Sequence, residues 1–389
     1  MNQPITPAVP AAPGAPAGPA APAAAAAPAA AVPAAAGGSA GLAAADLPGT
    51  TESRLAGYHR SWRVVRPHGE LAALGRLKAG GPRIGVPRFD PRCFLSEEDL
   101  LVELARSGVP RVPPVYRLGG GNGLQVHGYI EGEPLSRQRP PHERITGRQL
   151  SQLMALFAAM AAIRPTSLAL LHHCPPRHRP HTSREFLLTL LHFTRHRVYT
   201  LHAARFAGLF TALGVDPGVL APDGPLGRAA GRLTDRPFCL LHGDLHRDNL
   251  IVAAEDGALW TIDWELALLG DPVYDLATHL HLTHYPRGQQ QVVVNRWART
   301  MPAVLPGAAD GLAADLPVYL AYKRVQSVFT DVIRHGLAVR AADRDLRPVR
   351  VAQATQAVGT VLTRAASHLG LRRVPGPAVI ERAYTRLAS

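Results

Sequence analysis

The stretch Leu241-His242-Gly243-Asp244-Leu245-His246-Arg247-Asp248-Asn249, followed by Ile262-Asp263-Trp264-Glu265, decides how this chain is read. It sets a carboxylate at Asp244, an amide five residues later at Asn249 and a second carboxylate at Asp263. Between them, the apolar and β-branched runs Leu250–Ala253 and Ala258–Ile262 flank Ala254-Glu255-Asp256-Gly257, where Asp-Gly is a strong hairpin signal. Antiparallel strands of matched length return to their starting level, so Asn249 and Asp263 are expected at the same open end of the hairpin. Asp244, in the loop before the first strand, is expected beside them. An amide oxygen and a carboxylate are hard donors suited to magnesium, which takes few protein ligands and completes its shell from phosphate and water.

A second segment, Gly270-Asp271-Pro272-Val273-Tyr274-Asp275-Leu276-Ala277, follows closely. Together the two passages resemble the aminoglycoside phosphotransferase/choline kinase-like family of the protein-kinase-like superfamily, with His242-Gly243-Asp244 standing where protein kinases carry His-Arg-Asp. The resemblance implies an α+β, bilobal protein-kinase-like fold with a small β-rich N-terminal lobe and a larger, mainly helical C-terminal lobe. It further implies ATP between the lobes, with GTP as the alternative nucleotide, Mg2+ held by Asn249 and Asp263, and an acceptor hydroxyl beside Asp244 as the base. His242 is expected to prop the catalytic loop, and Asp275 to accept backbone hydrogen bonds from it. Asp248 and Asp271 read as solvated or capping acids.

Residues 1–48 are nearly all Ala, Pro and Gly, with no charged side chain before Asp46. Such a composition cannot offset chain entropy by burial, so a disordered tail is expected, available as a tether to a protein partner. Prolines such as Pro10, Pro13, Pro16 and Pro19 interrupt any apolar helix, and there is no basic leader region, which argues against a secretory signal. No run of about 20 apolar residues free of proline and charge follows, so neither a membrane span nor a membrane partner is expected, and a cytoplasmic location is. The remaining chain divides into a nucleotide-binding lobe, 49–128, and a catalytic and acceptor-binding lobe, 129–389. Cys93, Cys174 and Cys239 show no paired spacing and read as packing residues. The net charge of +13 is carried almost wholly by Arg, with Lys only at Lys78 and Lys323, and favours anionic partners such as nucleotides. The arginines form no tract interleaved with aromatics, so nucleic acid is not an expected partner.

Leu55–Val65 and Leu71–Lys78 read as two strands around a tight turn at Pro67-His68-Gly69-Glu70. The kinase pattern asks for a Lys on the third strand paired with a Glu on the next helix. Lys78 is the lysine available, and Glu98 follows the Ser96 cap of a helix. No Gly-rich loop of protein-kinase type precedes Lys78, which leaves Arg76, Arg83 and Arg88 as alternative holders of the phosphates. Leu124–Leu135 resembles the strand entering the interlobe linker, with the backbone of Gly128, Tyr129 and Ile130 meeting the adenine edge. Leu150–Met160 reads as a core helix, and helical segments from Arg184 to Phe206 and from Leu316 onward are expected to shape and close the acceptor pocket. His279, His281 and His284 do not share one helix face, which argues against a metal site.

Between Glu143 and Asp235 the acids Glu143, Glu185, Asp216, Asp223 and Asp235 are outnumbered by Arg144, Arg148, Arg164, Arg177, Arg179, Arg184, Arg195 and Arg197. A neutral or anionic small-molecule hydroxyl is therefore expected as acceptor rather than a polycation, with Ser/Thr hydroxyls of a peptide precursor as a second class. Two rival readings are a non-catalytic kinase-like scaffold and a metal-dependent hydrolase built on His242, Asp244 and His246.

Overall fold

A computed structural model describes residues 47–118, 124–168, 170 and 179–388; nearly all of the Ala/Pro-rich tail, with Cys174 and Arg177, lies outside the described residues. Strands β1 (Gly49–Ala56), β2 (Arg60–Pro67), β3 (Leu77–Pro82), β4 (Val115–Leu118) and β5 (Leu124–Gly128) form an antiparallel sheet in the order β1-β2-β3-β5-β4. Val65, Leu77, Ala79, Leu118 and Val126 bury one apolar cluster there, and Leu47, from within the stretch read as tail, joins it. The strand boundaries also differ from expectation. The first tight turn lies at Gly57-Tyr58-His59, where the Gly57 amide donates to Arg60 O at 2.9 Å, and Leu71–Leu74 sits in a 3-10 helix, Gly69–Leu74, instead of a strand. Gly69, at φ +63°, turns the chain, and Glu-Leu-Ala-Ala-Leu carries no β-branched residue to favour extension.

Helix α1 (Glu97–Arg106) starts where the Ser96 hydroxyl accepts from the Asp99 amide at 3.0 Å, and it buries Leu100, Leu101 and Leu104. Beyond the linker the chain is mainly helical. Short β6 (Gly132–Pro134) is followed by α2 (Leu135–Gln138), α3 (Gly147–Ala162), α4 (Ser183–Phe193), α5 (Leu201–Ala212) and α6 (Pro225–Ala230). Thr146 and Gln149 cap α3 reciprocally, and Leu153, Phe157 and Met160 bury its inner face. Strand β7 (Cys239–Leu241) leads into the loop carrying Asp244, the hairpin β8 (Leu250–Ala253) and β9 (Leu259–Thr261) follows, and β10 (Leu268–Gly270) returns antiparallel to β7. Helices α7 (Pro272–Thr283), α8 (Arg287–Thr300), α9 (Leu312–Arg340), α10 (Arg347–Ala365) and α11 (Pro377–Ala388) complete the lobe. In α9, Val325, Val328, Phe329, Val332 and Ile333 repeat at helical spacing and are fully buried against the core. The arrangement is the bilobal α+β fold expected from the motifs. Among the described residues no helix is long and apolar enough to cross a membrane.

Candidate active site

In the hairpin, Leu250 stands opposite Thr261, and the Ile262 amide donates to Asn249 O at 3.0 Å. Asn249 and Asp263 therefore lie at its open end, while Gly257 at φ +65° and the Asp256 carboxylate, accepting from the Ala258 amide at 2.9 Å, close the other. Asp263 itself is left-handed, φ +63°, a conformation Asp tolerates better than most residues. Asn249 Nδ2 donates to Asp244 O at 2.9 Å and reaches Asp244 Oδ2 at 3.3 Å. With its amide hydrogens turned to Asp244, its Oδ1 is the atom left for a cation.

The loop carrying Asp244 is held from behind. Asp275, buried on α7, accepts from the His242 amide at 3.1 Å and from the Gly243 amide at 2.9 Å. Burial pushes its carboxyl up to about 6 even though both hydrogen bonds and Lys323 oppose the rise. Gly243, at φ +79°, is required, because a Cβ there would stand 2.4 Å from Leu266 O. The His242 ring is fully buried, lowered to about 4 by that burial and so neutral. One tautomer serves it: Nε2–H donates to Ile262 O at 3.1 Å, and Nδ1 accepts from the Asp244 amide at 3.3 Å. His242 thus ties the loop of Asp244 to the strand leading to Asp263. His246 Nε2 faces Asp244 Oδ2 at 3.4 Å; burial works against its proton, yet Asp244 and Asp248 outweigh burial and raise its pKa.

Asp263 is exposed at the mouth of the cleft, with protein packed about its carboxyl. That crowding, then the like charges of Glu97, Glu265 and Asp244, push its carboxyl up to about 7, with Lys78 opposing. The like charges of Glu97, Glu265 and Asp244 act on Asp263, and Asn249 lies against Asp244, so Asn249 Oδ1 and the Asp263 carboxylate offer hard oxygen donors that fit magnesium.

On the N-terminal lobe, Lys78 lies in β3 opposite Val64 and His127, with its ammonium 4.1 Å from the centre of the Trp62 ring. Burial lowers its pKa, while Asp263 and Glu97 hold it up. The expected pairing with Glu98 is corrected. Glu98 Oε1 accepts from Arg60 at 2.6 Å and lies 3.4 Å from His127 Nε2, without hydrogen-bond alignment. Burial, the largest influence, would raise its carboxyl, but His127 and Arg60 together hold it near 2. The acid turned toward the cleft is Glu97, whose Oε1 accepts from the Trp264 amide at 3.0 Å and whose Oε2 accepts from Arg60 at 3.1 Å. Successive helical residues point about 100° apart, so Glu97 and not Glu98 is the acid that acts on Lys78, although both pair with Arg60.

The alternative arginines separate. Arg76 pairs with Glu52 and Glu131 and stacks on Tyr129, Arg83 donates to Gly57 O and Tyr58 O, and Arg88 lines the mouth beside His59. Gly128, Tyr129 and Ile130 do connect β5 to β6, but the Gly128 amide donates to Pro114 O at 2.8 Å and the Tyr129 amide to Arg76 O at 2.9 Å. Of the three, the Ile130 amide is the one left for a ligand among the bonds described. Asp248 is exposed, with the Ser136 hydroxyl on it. Asp271 is capping but not solvated: fully buried, it caps α7 through the Val273 amide at 2.9 Å.

Residues 86–309 match the model of the phosphotransferase enzyme family (APH), more than half of the chain. The chain belongs to that family. Among solved structures, a putative aminoglycoside phosphotransferase from Ralstonia eutropha superposes with a TM-score of 0.51 at 14% identity, covering 87% of this chain and 93% of that one. A Plasmodium vivax ethanolamine kinase gives a TM-score of 0.49 at 13% identity, over 81% of each chain. A 76-residue stretch is 34% identical to mouse acyl-CoA dehydrogenase family member 11, spanning 19% of this chain but only 8% of that protein's length.

Two residues at this cleft, Glu97 and Arg60, carry no mark in the sequence. Glu97 is adjacent to Glu98, and no local signal ranks one first-turn acid over its neighbour. Arg60 follows the turn at Gly57–His59, and its pairing with both acids of α1 becomes visible only once β2 and α1 are packed together. His279, with Nδ1 2.9 Å from Leu245 O and Nε2 2.8 Å from the Tyr285 hydroxyl, is tied into the core of the phosphotransferase lobe.

Proposed function

We propose that this phosphotransferase moves the γ-phosphoryl group of ATP, bound with magnesium between the lobes, to a hydroxyl of a small molecule. The observation that carries the reading is Asp244 itself. It is partly exposed at the cleft, gripped by Asn249 and His246, and its charge acts on Asp263 across the open end of the hairpin. Asn249 Oδ1 and the Asp263 carboxylate would hold magnesium, which would supply charge neutralisation for the phosphate oxygens. Asp244 orients the acceptor hydroxyl and takes its proton, a contribution of about 10²–10⁴ in rate. His246 fixes the Asp244 carboxylate by its Nε2 contact, and His242 with Asp275 fixes the loop. Lys78 faces Asp263 across the cleft and supplies positive charge for the nucleotide's phosphates. Positioning and charge neutralisation suffice, because phosphoryl transfer passes through a loose transition state.

The hydrolase reading loses its ligand: both ring nitrogens of His242 are occupied and the ring is fully buried. The test compares the unfolding temperature with ATP, with magnesium and with both, for the native chain and for Asp244→Ala. Magnesium-dependent stabilisation by ATP in both proteins, with acceptor phosphorylation nearly abolished in Asp244→Ala, is expected. ATP without effect on stability, or undiminished turnover in the variant, refutes it.

A further inference from the structure

Beside Asp244 the cleft opens into a cavity of about 240 Å³ walled by α7, α9 and α10. Asp90, Asp244 and Asp331 line it, together with Lys323, Arg324, Arg334 and Arg364. The acids are engaged: Asp331 pairs with Arg334 at 2.9 Å, Asp90 accepts from Gln326 at 2.6 Å, and Asp244 is assigned to the acceptor hydroxyl. The other cations are not matched. Among the described residues, Lys323, Arg324 and Arg364 form no ion pair; Arg324 lies 3.1 Å from His368 Nε2 and Arg364 lies 3.2 Å from His284 Nε2. Burial lowers both imidazoles, His284 to about 4, so they accept from the guanidinium groups without neutralising them.

Lys323 is the deepest of the three, only 6% exposed, with its ammonium 5.5 Å from the centre of the Tyr274 ring. Asp275 lies behind it, but both Asp275 oxygens are taken by the His242 and Gly243 amides. The His281 ring, with Nε2 2.9 Å from the Ser327 hydroxyl, sits where the three cations converge; burial and then Lys323, His284, Arg364 and Arg324 hold it near 3. Lys323 is buried, Arg324 half-buried and Arg364 exposed at the rim, and a buried ammonium with no carboxylate in contact is costly unless an anion meets it.

We propose that the acceptor carries an oxyanion, a carboxylate or a phosphate, seated against Lys323, Arg324 and Arg364 while its hydroxyl meets Asp244. The inference rests on the phosphotransferase reading for the second half of that statement alone. A polyamine in the same cavity meets like charge on three sides. The cavity is below the usual size of drug-like sites, about 300–1,000 Å³, and suits a metabolite rather than a peptide segment.

The test uses the full chain and acceptors of one skeleton: a polyol, its carboxylate, its monophosphate and its amine. At least one oxyanion member is expected to exceed the polyol about tenfold or more in kcat/KM, with the two oxyanions distinguishing carboxylate from phosphate. Arg364→Met and Arg324→Gln each reduce that preference about tenfold, through KM. Lys323→Met has the same expected effect, but the two arginines, nearer the surface, keep the test valid should that variant fail to fold. Equal or better use of the polyol or the amine, or an unchanged preference in both arginine variants, overturns the inference. Calorimetric titration of inorganic sulfate without nucleotide reads the wall directly. Binding weakened about tenfold by Arg364→Met supports an oxyanion site even where no acceptor is phosphorylated, whereas binding indifferent to both arginines overturns it. Failure of ATP and magnesium to bind sinks the phosphotransferase reading alone.

Discussion

Asp275→Asn separates the positioning of the catalytic loop from the stability of the fold. The native carboxyl is raised from 3.8 to about 6, which corresponds to about 3 kcal/mol disfavouring the ionised side chain in the folded state. The sign follows from proton uptake. Between 3.8 and about 6 the folded protein holds a proton that the unfolded chain has released, so stability falls as pH rises through that window and the full loss is present above it. Asparagine carries no such loss. It can still accept from one of the two amides, but its NH2 faces the other, and a buried unsatisfied donor costs about 1–3 kcal/mol.

The two effects nearly cancel near pH 7.5, so the variant should be as stable as the native chain within about 2 kcal/mol. Near pH 4.5, where the native carboxyl is largely protonated, the variant should be the less stable. Activity has no such compensation. A loop freed from one of its two anchors shifts Asp244, and a displacement of about 1 Å costs roughly a hundredfold in turnover. Calorimetric scans at the two pH values, with acceptor-dependent nucleotide turnover near pH 7.5, check both halves. Wild-type turnover shows that the two bonds do not position Asp244; a stability gap that does not change with pH shows that Asp275 is not an unwillingly ionised group.

Asp263, raised to about 7, holds its proton below that pH and competes with a cation, so magnesium-dependent nucleotide affinity should rise with pH up to about 7 and then level off. Titration calorimetry at pH 6 and 8 reads this, and Asp263→Asn should weaken binding and remove the slope. Glu97→Ala should lower turnover about tenfold or more by releasing the Trp264 amide, while Glu98→Ala should act mainly on stability; paired kcat and Tm measurements would expose the reverse order. Arg236 joins the fully buried Asp271, at 2.8 Å, to Asp315, and Arg236→Met leaves two uncompensated acids, at a cost of about 3–5 kcal/mol in denaturant unfolding. A loss below about 1 kcal/mol shows that the triad is not the tie between α7 and α9.

The parts of the site legible in the sequence are those fixed by local geometry. The Asp-Gly turn and two short strands set the register that brings Asn249 and Asp263 to one end, and nothing outside residues 249–263 is needed for that. The same holds for the Ser96 cap and the core face of α3. What was not legible depends on rotation and distance. Which of Glu97 and Glu98 faces Lys78 is decided by how α1 rolls against the sheet. Which linker amides are free is decided by Pro114 and Arg76, residues with no sequence mark. The first strand was cut short because Thr50 to Arg54 lack the alternating apolar residues that announce a strand; every residue of β1 is exposed, so its pairing with β2 leaves no burial pattern. The cavity beside Asp244 draws His281, Lys323 and Arg364 from three helices, and a count of charges over 143–235 samples none of them.

Those distant residues give the cleft two poles, and the poles explain each other. Around Asp263 burial first, and then the like charges of Glu97, Glu265 and Asp244, raise the carboxyl, and that negative surround suits a divalent cation. On the other side of Asp244, burial and then Lys323, His284, Arg364 and Arg324 hold the His281 imidazole neutral at physiological pH. A net charge of +13 describes neither pole, since the sum hides the sorting. Asp244 stands on the boundary, and on the proposed reading a proton leaving a hydroxyl passes to Asp244 while an oxyanion on the same molecule is held by the basic pole. A single acceptor bound across that boundary has its orientation set by electrostatics before any shape complementarity applies, so reversing either pole should change which hydroxyl is presented as well as how tightly the acceptor binds.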